Sequence, residues 1–233
     1  MNFNKKTKII ATIGPSCSSY DVLKKMIVAG VNVYRLNFSH INHEDAFKII
    51  STIKKINSEI GAKTAILGDL QGPKIRLGVV DKNVLLKSGK LVTLTNQECK
   101  SSDKKLFVDY PRLVNDVKVK DLVLIDDGKI KLRVKSITQK SIVCDILNGG
   151  RVSSHKGVNF PNSLLSFKSI TKKDKQDLLF LIKHNIDWVA LSFVRNSRDI
   201  IGLREILIKK NSKIKIIAKI EKPEAVKNIK SIT

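Results

Sequence analysis

The sequence predicts an α/β fold in which parallel strands alternate with amphipathic helices. Short apolar runs rich in β-branched residues recur along the chain, as is typical of buried strands. Between them lie stretches with apolar residues at helical spacing. From about residue 79 to 155 the helical period disappears and alternating strands replace it. Buried strands joined by helices indicate parallel pairing with right-handed crossovers, so we expect a parallel sheet interrupted by one β-rich insertion.

The first part of the chain contains three expected strands and two expected helices. The first apolar run ends in Gly-Pro, which is how a buried strand is often terminated. Ser18 or Ser19 is a candidate N-cap for the first helix, and Gly30 is its stop signal. The elements expected here are a strand at 7–14, a helix at 20–29, a strand at 31–38, a helix at 43–61 and a strand at 64–70.

The β-rich segment contains three longer runs of alternating residues separated by turn signals. KLVTLT, LVLIDDGKIKLRV and SIVCDIL are the runs, and Ser-Gly, Asp-Gly and Asn-Gly-Gly are the signals. Asp127-Gly128 between two alternating runs predicts a hairpin. We therefore expect a small inserted β domain.

Strands and helices alternate again after the insertion. Thr171 followed three residues later by Asp174 predicts a helix N-terminus, and Pro223 predicts the first turn of a final helix. Two further strands bring the number of parallel strands to five. The elements expected here are a helix that starts at 171–174 and continues through 176–185, a strand at 186–194, a helix at 197–210 and a strand at 213–221.

The chain is strongly basic, with 44 Lys and Arg against 21 Asp and Glu, a net charge of +23. Such a charge attracts polyanions. The lysines are nevertheless scattered, aromatic residues make up 5% of the chain, and we find no nucleic-acid-binding motif. We interpret most lysines, such as Lys54 and Lys55, as solvated helix faces, so a nucleic-acid partner is not expected.

Compartment signals favour the cytoplasm. No apolar run approaches the roughly 20 residues of a membrane-spanning helix, and the start MNFNKKTKII lacks the apolar region of a signal peptide. Cys17, Cys99 and Cys144 form no CxxC pair. We expect reduced, mostly buried thiols, and neither a disulfide nor a structural zinc site.

Polar residues concentrate where strands two to five end. The carboxyl ends of parallel strands meet at one edge of the sheet, where α/β proteins place their sites. Basic groups mixed with a few carboxylates suit phosphate and metal chemistry. Each alone has an ordinary explanation, such as an ion pair or a helix cap, and their joint placement carries the inference. The residues are Arg35, Asn37, Ser39, His40, Asp69, Lys74, Arg76, Ser192, Arg195, Lys219 and Glu221.

Six segments resemble, in order and at comparable spacing, successive motifs of the pyruvate kinase family. They are TKIIATIGPSC, VNVYRLNFSH, GDLQGPKIRLG, LIDDGKI, NGGRVSSHKGVNFP and KIIAKIE. The resemblance implies a TIM (β/α)8 barrel, of which this chain holds about five βα units, interrupted after the third strand by a small β-barrel lid domain. The implied domains are a first barrel part at 1–78, the lid at 79–156 and a second barrel part at 157–233.

The resemblance also implies the reaction, which is magnesium-dependent transfer of phosphate from phosphoenolpyruvate to ADP, giving pyruvate and ATP in glycolysis. Arg35 matches the arginine that contacts the substrate phosphate, and Lys219 the lysine that stabilises the phosphoryl group in transit. Ser192 joins them in the substrate site. Glu221 matches a magnesium ligand.

The resemblance also implies a binding site for a monovalent cation and one for the nucleotide. Asn37, Ser39, Asp69 and the backbone carbonyl of Leu70 match the potassium site, and Lys74 stands where potassium-dependent members have glutamate. An ammonium group there supplies a positive charge, so we expect a complete enzyme with this residue to be active without added potassium. The nucleotide-binding positions implied are Asn37, His40, Arg76 and Lys156.

The chain ends at Thr233, before the family's GDLG segment, a later threonine and the C-terminal domain used in tetramer assembly. Losing preorganised groups of this kind costs about a hundredfold each, so we expect little or no activity from the chain alone, and exposed strand edges. A truncated gene, half of a split enzyme and a partial record are all compatible with this length. Two other interpretations stay open: a noncatalytic basic protein that binds RNA or another polyanion, and a nonfunctional remnant.

Overall fold

The computed structural model of the protein describes residues 6–82, 84–163 and 165–233. The chain forms two compact units. The first is Met1–Pro73 with Lys168–Thr233, and the second is Lys74–Phe167.

The helices and strands are numbered in chain order. Before the second unit they are β1 Ile10–Thr12, a 3-10 turn Pro15–Cys17, α1 Tyr20–Val28, β2 Val33–Asn37, α2 His43–Ile60 and β3 Ala65–Asp69. Within the second unit they are β4 Leu85–Leu86, β5 Leu91–Thr95, β6 Lys105–Phe107, α3 Leu113–Asp116, β7 Leu122–Ile125, β8 Ile130–Ile137, β9 Ser141–Asn148, β10 Gly150–Arg151 and β11 Val158–Asn159. After it they are α4 Lys172–Lys183, β12 Trp188–Leu191, α5 Ser197–Lys209, β13 Lys215–Ala218, α6 Pro223–Lys227 and α7 Ile229–Ile232.

The first unit is built on a five-stranded sheet in the order β1-β2-β3-β12-β13, and every pair in it is parallel. The expected five parallel strands are therefore confirmed. Each strand is shorter than its apolar run. The register places Asn37 of β2 and Ala190 of β12 on either side of Asp69 in β3. Neighbouring carboxyl ends thus meet around Asp69.

Helices cover this sheet with apolar faces, and their ends follow ordinary capping chemistry. Asn42 caps α2 by accepting from the Asp45 N–H, and Thr171 with Asp174 forms the expected capping box of α4. Ser19 occupies the N-cap position of α1 without a side-chain cap bond. Within the described ranges, no helix has both the length and the apolarity to cross a bilayer.

A close approach of α4 to β3 explains one glycine. A Cβ at Gly68 would lie 2.5 Å from Leu181 Cδ1, too close for the Leu181 side chain to keep its position against the sheet. Leu181 is fully buried. Glycine at this strand position therefore lets the helix pack directly on the sheet, one residue before Asp69.

The second unit holds a mostly antiparallel six-stranded sheet in the order β11-β7-β8-β9-β5-β6, and a two-stranded sheet of β10 and β4. The predicted hairpin is confirmed, since β7 and β8 pair antiparallel across a turn in which Asp126, Asp127 and Gly128 all have positive φ. The sequence did not predict the single helical turn Leu113–Asp116. Four residues are too few to show a helical period.

The three thiols differ in burial. Cys144 in β9 is fully buried, and burial raises the pKa of its thiol to about 12. Cys17 and Cys99 are half-buried, so the expectation of mostly buried thiols holds for Cys144 alone.

These differences predict two reactivity classes toward a thiol-specific reagent at pH 8. Thiolates are the reactive form, so Cys17 and Cys99 should react first, and Cys144 should react only as the chain unfolds. Time-resolved labelling with and without denaturant measures this. Cys144→Val should remove only the slow class. Three thiols reacting at one rate in the folded chain would contradict the burial of Cys144.

Candidate functional site

A buried carboxylate organises the carboxyl ends of the parallel strands. Asp69, the last residue of β3, has a side chain that is only 2% exposed. Arg35 Nε donates to its Oδ2 at 2.8 Å, and the Arg35 Nη2 group donates to the same oxygen. Lys219 Nζ lies 3.2 Å from both Asp69 oxygens. One carboxylate therefore fixes two cations that come from β2 and from the residue after β13.

Lys219 is held by further contacts. Its backbone N–H donates to the Leu191 carbonyl, which extends the ladder between β12 and β13 by one residue. Its Nζ donates to Ser192 Oγ at 2.9 Å and lies 3.2 Å from Glu221 Oε1. Ser192 Oγ in turn donates to the Leu70 carbonyl oxygen at 2.7 Å. The Lys219 ammonium is thus positioned by partners from three strand ends.

The charges of this cluster balance internally, but its members differ in exposure. Arg35 and Lys219 are each 28% exposed, and Glu221 is 35% exposed. Asp69 is withdrawn from solvent beneath them. An anion can therefore contact both cations from the solvent side, while Glu221 still offers carboxylate oxygen to a divalent cation.

The donor set suits magnesium in one particular way. Across the parts of the chain that the structure describes, no group of three or more His, Cys, Asp or Glu side chains is arranged to hold a metal. Magnesium is commonly bound by one or two carboxylates together with water and substrate phosphate oxygens. Glu221 fits that mode as a single carboxylate, and its Oε2 accepts a hydrogen bond from the Phe193 N–H at 3.0 Å.

The sequence analysis missed two residues that shape this site. Phe193 has a φ of +55°, in the left-handed region that is unusual for a bulky residue, and this conformation accompanies its contact with Glu221. No local sequence signal marks it. Thr12 accepts from Arg35 Nη1 at 2.9 Å. The pairing of β1 with β2 places Thr12 opposite Arg35. Aligning the two predicted strands in the sequence could therefore have identified Thr12 as a partner of Arg35.

Lys222 follows directly after Glu221 and was also not identified from the sequence. Burial lowers the pKa of its ammonium group. Its Nζ lies 5.7 Å from the centroid of the Phe193 ring, a cation–π distance. Phe193 therefore contacts two consecutive residues of the segment that follows β13.

The other predicted residues of the first unit form a turn after β2. Asn37 Oδ1 accepts from the Ser39 N–H at 3.0 Å, and its carbonyl accepts from the His40 N–H at the same distance. The Phe38 N–H donates to the Asp69 carbonyl. Ser39 is half-buried and His40 is exposed. The turn is thus joined to the strand end that carries Asp69.

Lys74, Arg76 and Lys156 belong to the second unit. Lys74 is exposed, and Arg76 Nη1 donates to the His155 carbonyl at 2.9 Å. Lys156 Nζ pairs with Asp126 Oδ1 at 2.9 Å. The pKa of the Asp126 carboxyl group is lowered mainly by its hydrogen bond with Lys156, and also by its hydrogen bond with Lys129. The sequence analysis had not identified Asp126 as a partner of Lys156.

Arg195, noted in the sequence for its place at a strand end, has a structural contact. Its Nη2 pairs with Asp199 Oδ1 at 3.2 Å, in the first turn of α5. Asp199 also accepts from the Arg195 N–H at 2.9 Å. This pair ties the loop after β12 to the start of the helix.

Fold and site together define the class of this chain, an α/β protein whose curled, barrel-like parallel sheet carries an anion-compatible cluster at its strand ends. The family model "Pyruvate kinase, barrel domain" matches residues 4–233. Pyruvate kinases from Staphylococcus aureus strains MRSA252 and USA300 are each 42% identical over 231 residues, which is 98% of this chain and 40% of theirs. The chain belongs to the pyruvate kinase family.

Solved structures agree with this assignment. The crystal structure of a pyruvate kinase from Cryptosporidium parvum superposes with a TM-score of 0.94 at 35% sequence identity. The match covers 98% of this chain and 48% of that one. The chain thus spans less than half the length of these relatives.

Proposed function

We propose that this chain carries the phosphate-binding and magnesium-binding part of a pyruvate kinase site, which transfers phosphate from phosphoenolpyruvate to ADP. The observation that supports this most directly is the double pairing of buried Asp69 with Arg35 and Lys219. Phosphoryl transfer needs little covalent chemistry from the protein, and depends on positioning and on neutralising negative charge. Two cations fixed by one buried carboxylate are suited to that task.

The proposed roles follow from exposure and charge. Arg35 binds the substrate phosphate with its planar guanidinium group, and Lys219 stabilises the phosphoryl group during transfer. Ser192 positions Lys219 through the contact between its Oγ and the ammonium group. Glu221 holds magnesium, which when bound neutralises charge on phosphate oxygens.

The proposal also includes a nucleotide-binding site. Arg76 and Lys156, with Asn37 and His40, bind the nucleotide phosphates. Lys156 must then exchange its contact with Asp126 for a phosphate.

The barrel part comprises 1–78 and 157–233, representing about five βα units of a TIM barrel. A small β-barrel lid comprises 79–156, a range that lies inside the compact unit Lys74–Phe167. We further propose a cytoplasmic, glycolytic role, with homotetramer assembly in the complete enzyme.

The proposed monovalent cation site consists of Asn37, Ser39, Asp69 and the Leu70 carbonyl. This carbonyl already accepts from Ser192. We propose that Lys74 supplies the positive charge otherwise provided by potassium, so potassium is not required.

A chimera tests the role of Lys74. The chain replaces the matching segment of the Staphylococcus aureus MRSA252 pyruvate kinase, to which it is 42% identical. We expect phosphotransfer in potassium-free buffer with magnesium, and Lys74→Glu should make the rate depend on potassium. The matched control is Lys140→Glu at an exposed position of the same unit. A strict potassium requirement of the unsubstituted chimera would exclude the proposal.

Metal binding tests the role of Glu221 without depending on turnover. Mn²⁺ shares the preference of magnesium for oxygen ligands, so its electron paramagnetic resonance signal reports binding to the chain with phosphoenolpyruvate present. Loss of a metal ligand's supporting contact costs about 10–100-fold in affinity, and Glu221→Gln should cost at least as much. Glu205→Gln, in the exposed part of α5, should leave binding unchanged. Equal affinities in the two variants would exclude Glu221 as the ligand.

A further inference from the structure

A cavity of about 530 Å³ lies at the amino-terminal ends of β12 and β13. Its lining residues all fall between Ile182 and Lys215, within one compact unit. Lys219 and Glu221 follow the carboxyl end of β13, so this cavity lies at the opposite end of the strand from the site described above. Its volume is in the range of about 300–1,000 Å³ that small-molecule sites occupy.

Two helix-to-strand turns form the cavity wall. Asn185 lies two residues after the end of α4 and Asn211 two residues after the end of α5, and both have a left-handed backbone, with φ of +45° and +49°. Backbone N–H groups satisfy carbonyls of the last helical turns, for example Asn185 N–H to Ile182 at 3.1 Å and Ser212 N–H to Leu207 at 2.9 Å. The lysine side chains of these turns are therefore not needed to cap the helices.

The cavity has an excess of positive charge. Lys210, Lys213 and Lys215 line it together with a single acidic residue, Asp187. The Asp187 carboxylate accepts from the Ile66 N–H at 2.8 Å. Among the residues that the structure describes, Lys210 and Lys213 form no ion pair, and both are exposed. Three ammonium groups against one carboxylate favour a ligand with two negative charges.

An aromatic ring lies beside these lysines. Trp188, the first residue of β12, is half-buried and lines the cavity. Lys215 Nζ lies 5.1 Å from the centroid of its ring. A flat ring and an adjacent ammonium group suit a ligand that has both an aromatic ring and an anionic group. We propose that this cavity binds a small aromatic ligand bearing a phosphate monoester.

Trp188 is the only tryptophan in the chain, so its fluorescence reports on the cavity directly. Phenyl phosphate is the probe, and we expect a saturable change in emission. The double variant Lys210→Gln with Lys213→Gln should weaken binding by about tenfold or more, the equivalent of one charge-assisted hydrogen bond. Lys25→Gln with Lys140→Gln is the matched control, because it removes the same charge from exposed positions outside the cavity.

Two further probes separate the parts of the proposal. Phenol and inorganic phosphate should each bind at least tenfold more weakly than phenyl phosphate. Circular dichroism verifies that each variant is folded, and ligand-observed NMR of Trp188→Phe provides a reading independent of fluorescence. Equal weakening by the two double variants, or inorganic phosphate binding as tightly as phenyl phosphate, would overturn the proposal. An unsaturable emission change would also overturn it.

Discussion

Asp69→Ala is expected to lower the free energy of unfolding by about 3–5 kcal/mol, the usual cost of removing one partner from a buried charge pair. The reason is that Asp69 is 2% exposed and pairs with both Arg35 and Lys219. Without the carboxylate, Arg35 and Lys219, each less than one-third exposed, lose the negative group that they share, and Lys219 keeps only its pairing with Glu221. Urea-induced unfolding followed by circular dichroism measures the change.

Two companion variants identify the cause of that loss. Asp69→Asn keeps the shape and one acceptor oxygen but removes the charge, so most of the loss should persist. Asp103→Ala removes a carboxylate from an exposed position, where the effect should stay within about 0.5 kcal/mol. An Asp69→Ala chain as stable as Asp103→Ala would show that the cluster does not depend on its carboxylate.

Lys219→Met in the chimera with the Staphylococcus aureus relative is expected to reduce kcat by about 10²–10³-fold, the cost of losing one preorganised group that stabilises developing charge. Lys219 Nζ is fixed by Asp69, Ser192 and Glu221, so the ammonium group is already positioned before substrate binds. Methionine keeps much of the side-chain volume. A coupled assay of pyruvate formation measures kcat and the KM for phosphoenolpyruvate separately.

The matched control for this prediction is Lys209→Met, which makes the same change at an exposed position in the last turn of α5. Its kcat should equal that of the unsubstituted chimera. A Lys219→Met chimera that keeps its kcat and changes only KM would assign Lys219 to substrate binding alone.

The order of strands and helices in the first unit could be predicted from apolar periodicity, but strand ends could not. The run 186–194 suggested a strand of that length, whereas the paired strand is Trp188–Leu191. Phe193 and Val194 continue the apolar run, but the chain leaves the ladder at Ser192 for a turn with positive φ at Phe193. In the second unit, strands of two residues such as Val158–Asn159 are too short to show any period.

The candidate site was predictable in location but not in its internal contacts. Parallel strands bring their carboxyl ends together, so the clustering of Arg35, Ser192 and Lys219 follows from the strand pattern. Their roles came from the family resemblance. The sequence could not show that Asp69 pairs with both cations, because those partners lie 34 and 150 residues away. Only the strand order and register show that these residues, far apart in the chain, are close in space.

Turnover by the chimera tests the central proposal most directly, because it supplies the remaining length of a pyruvate kinase while every residue proposed here comes from this chain. We expect magnesium-dependent formation of pyruvate from phosphoenolpyruvate and ADP, abolished when magnesium is chelated. A chimera that is folded by circular dichroism yet produces no pyruvate would contradict the proposal that this chain carries a competent phosphotransfer site.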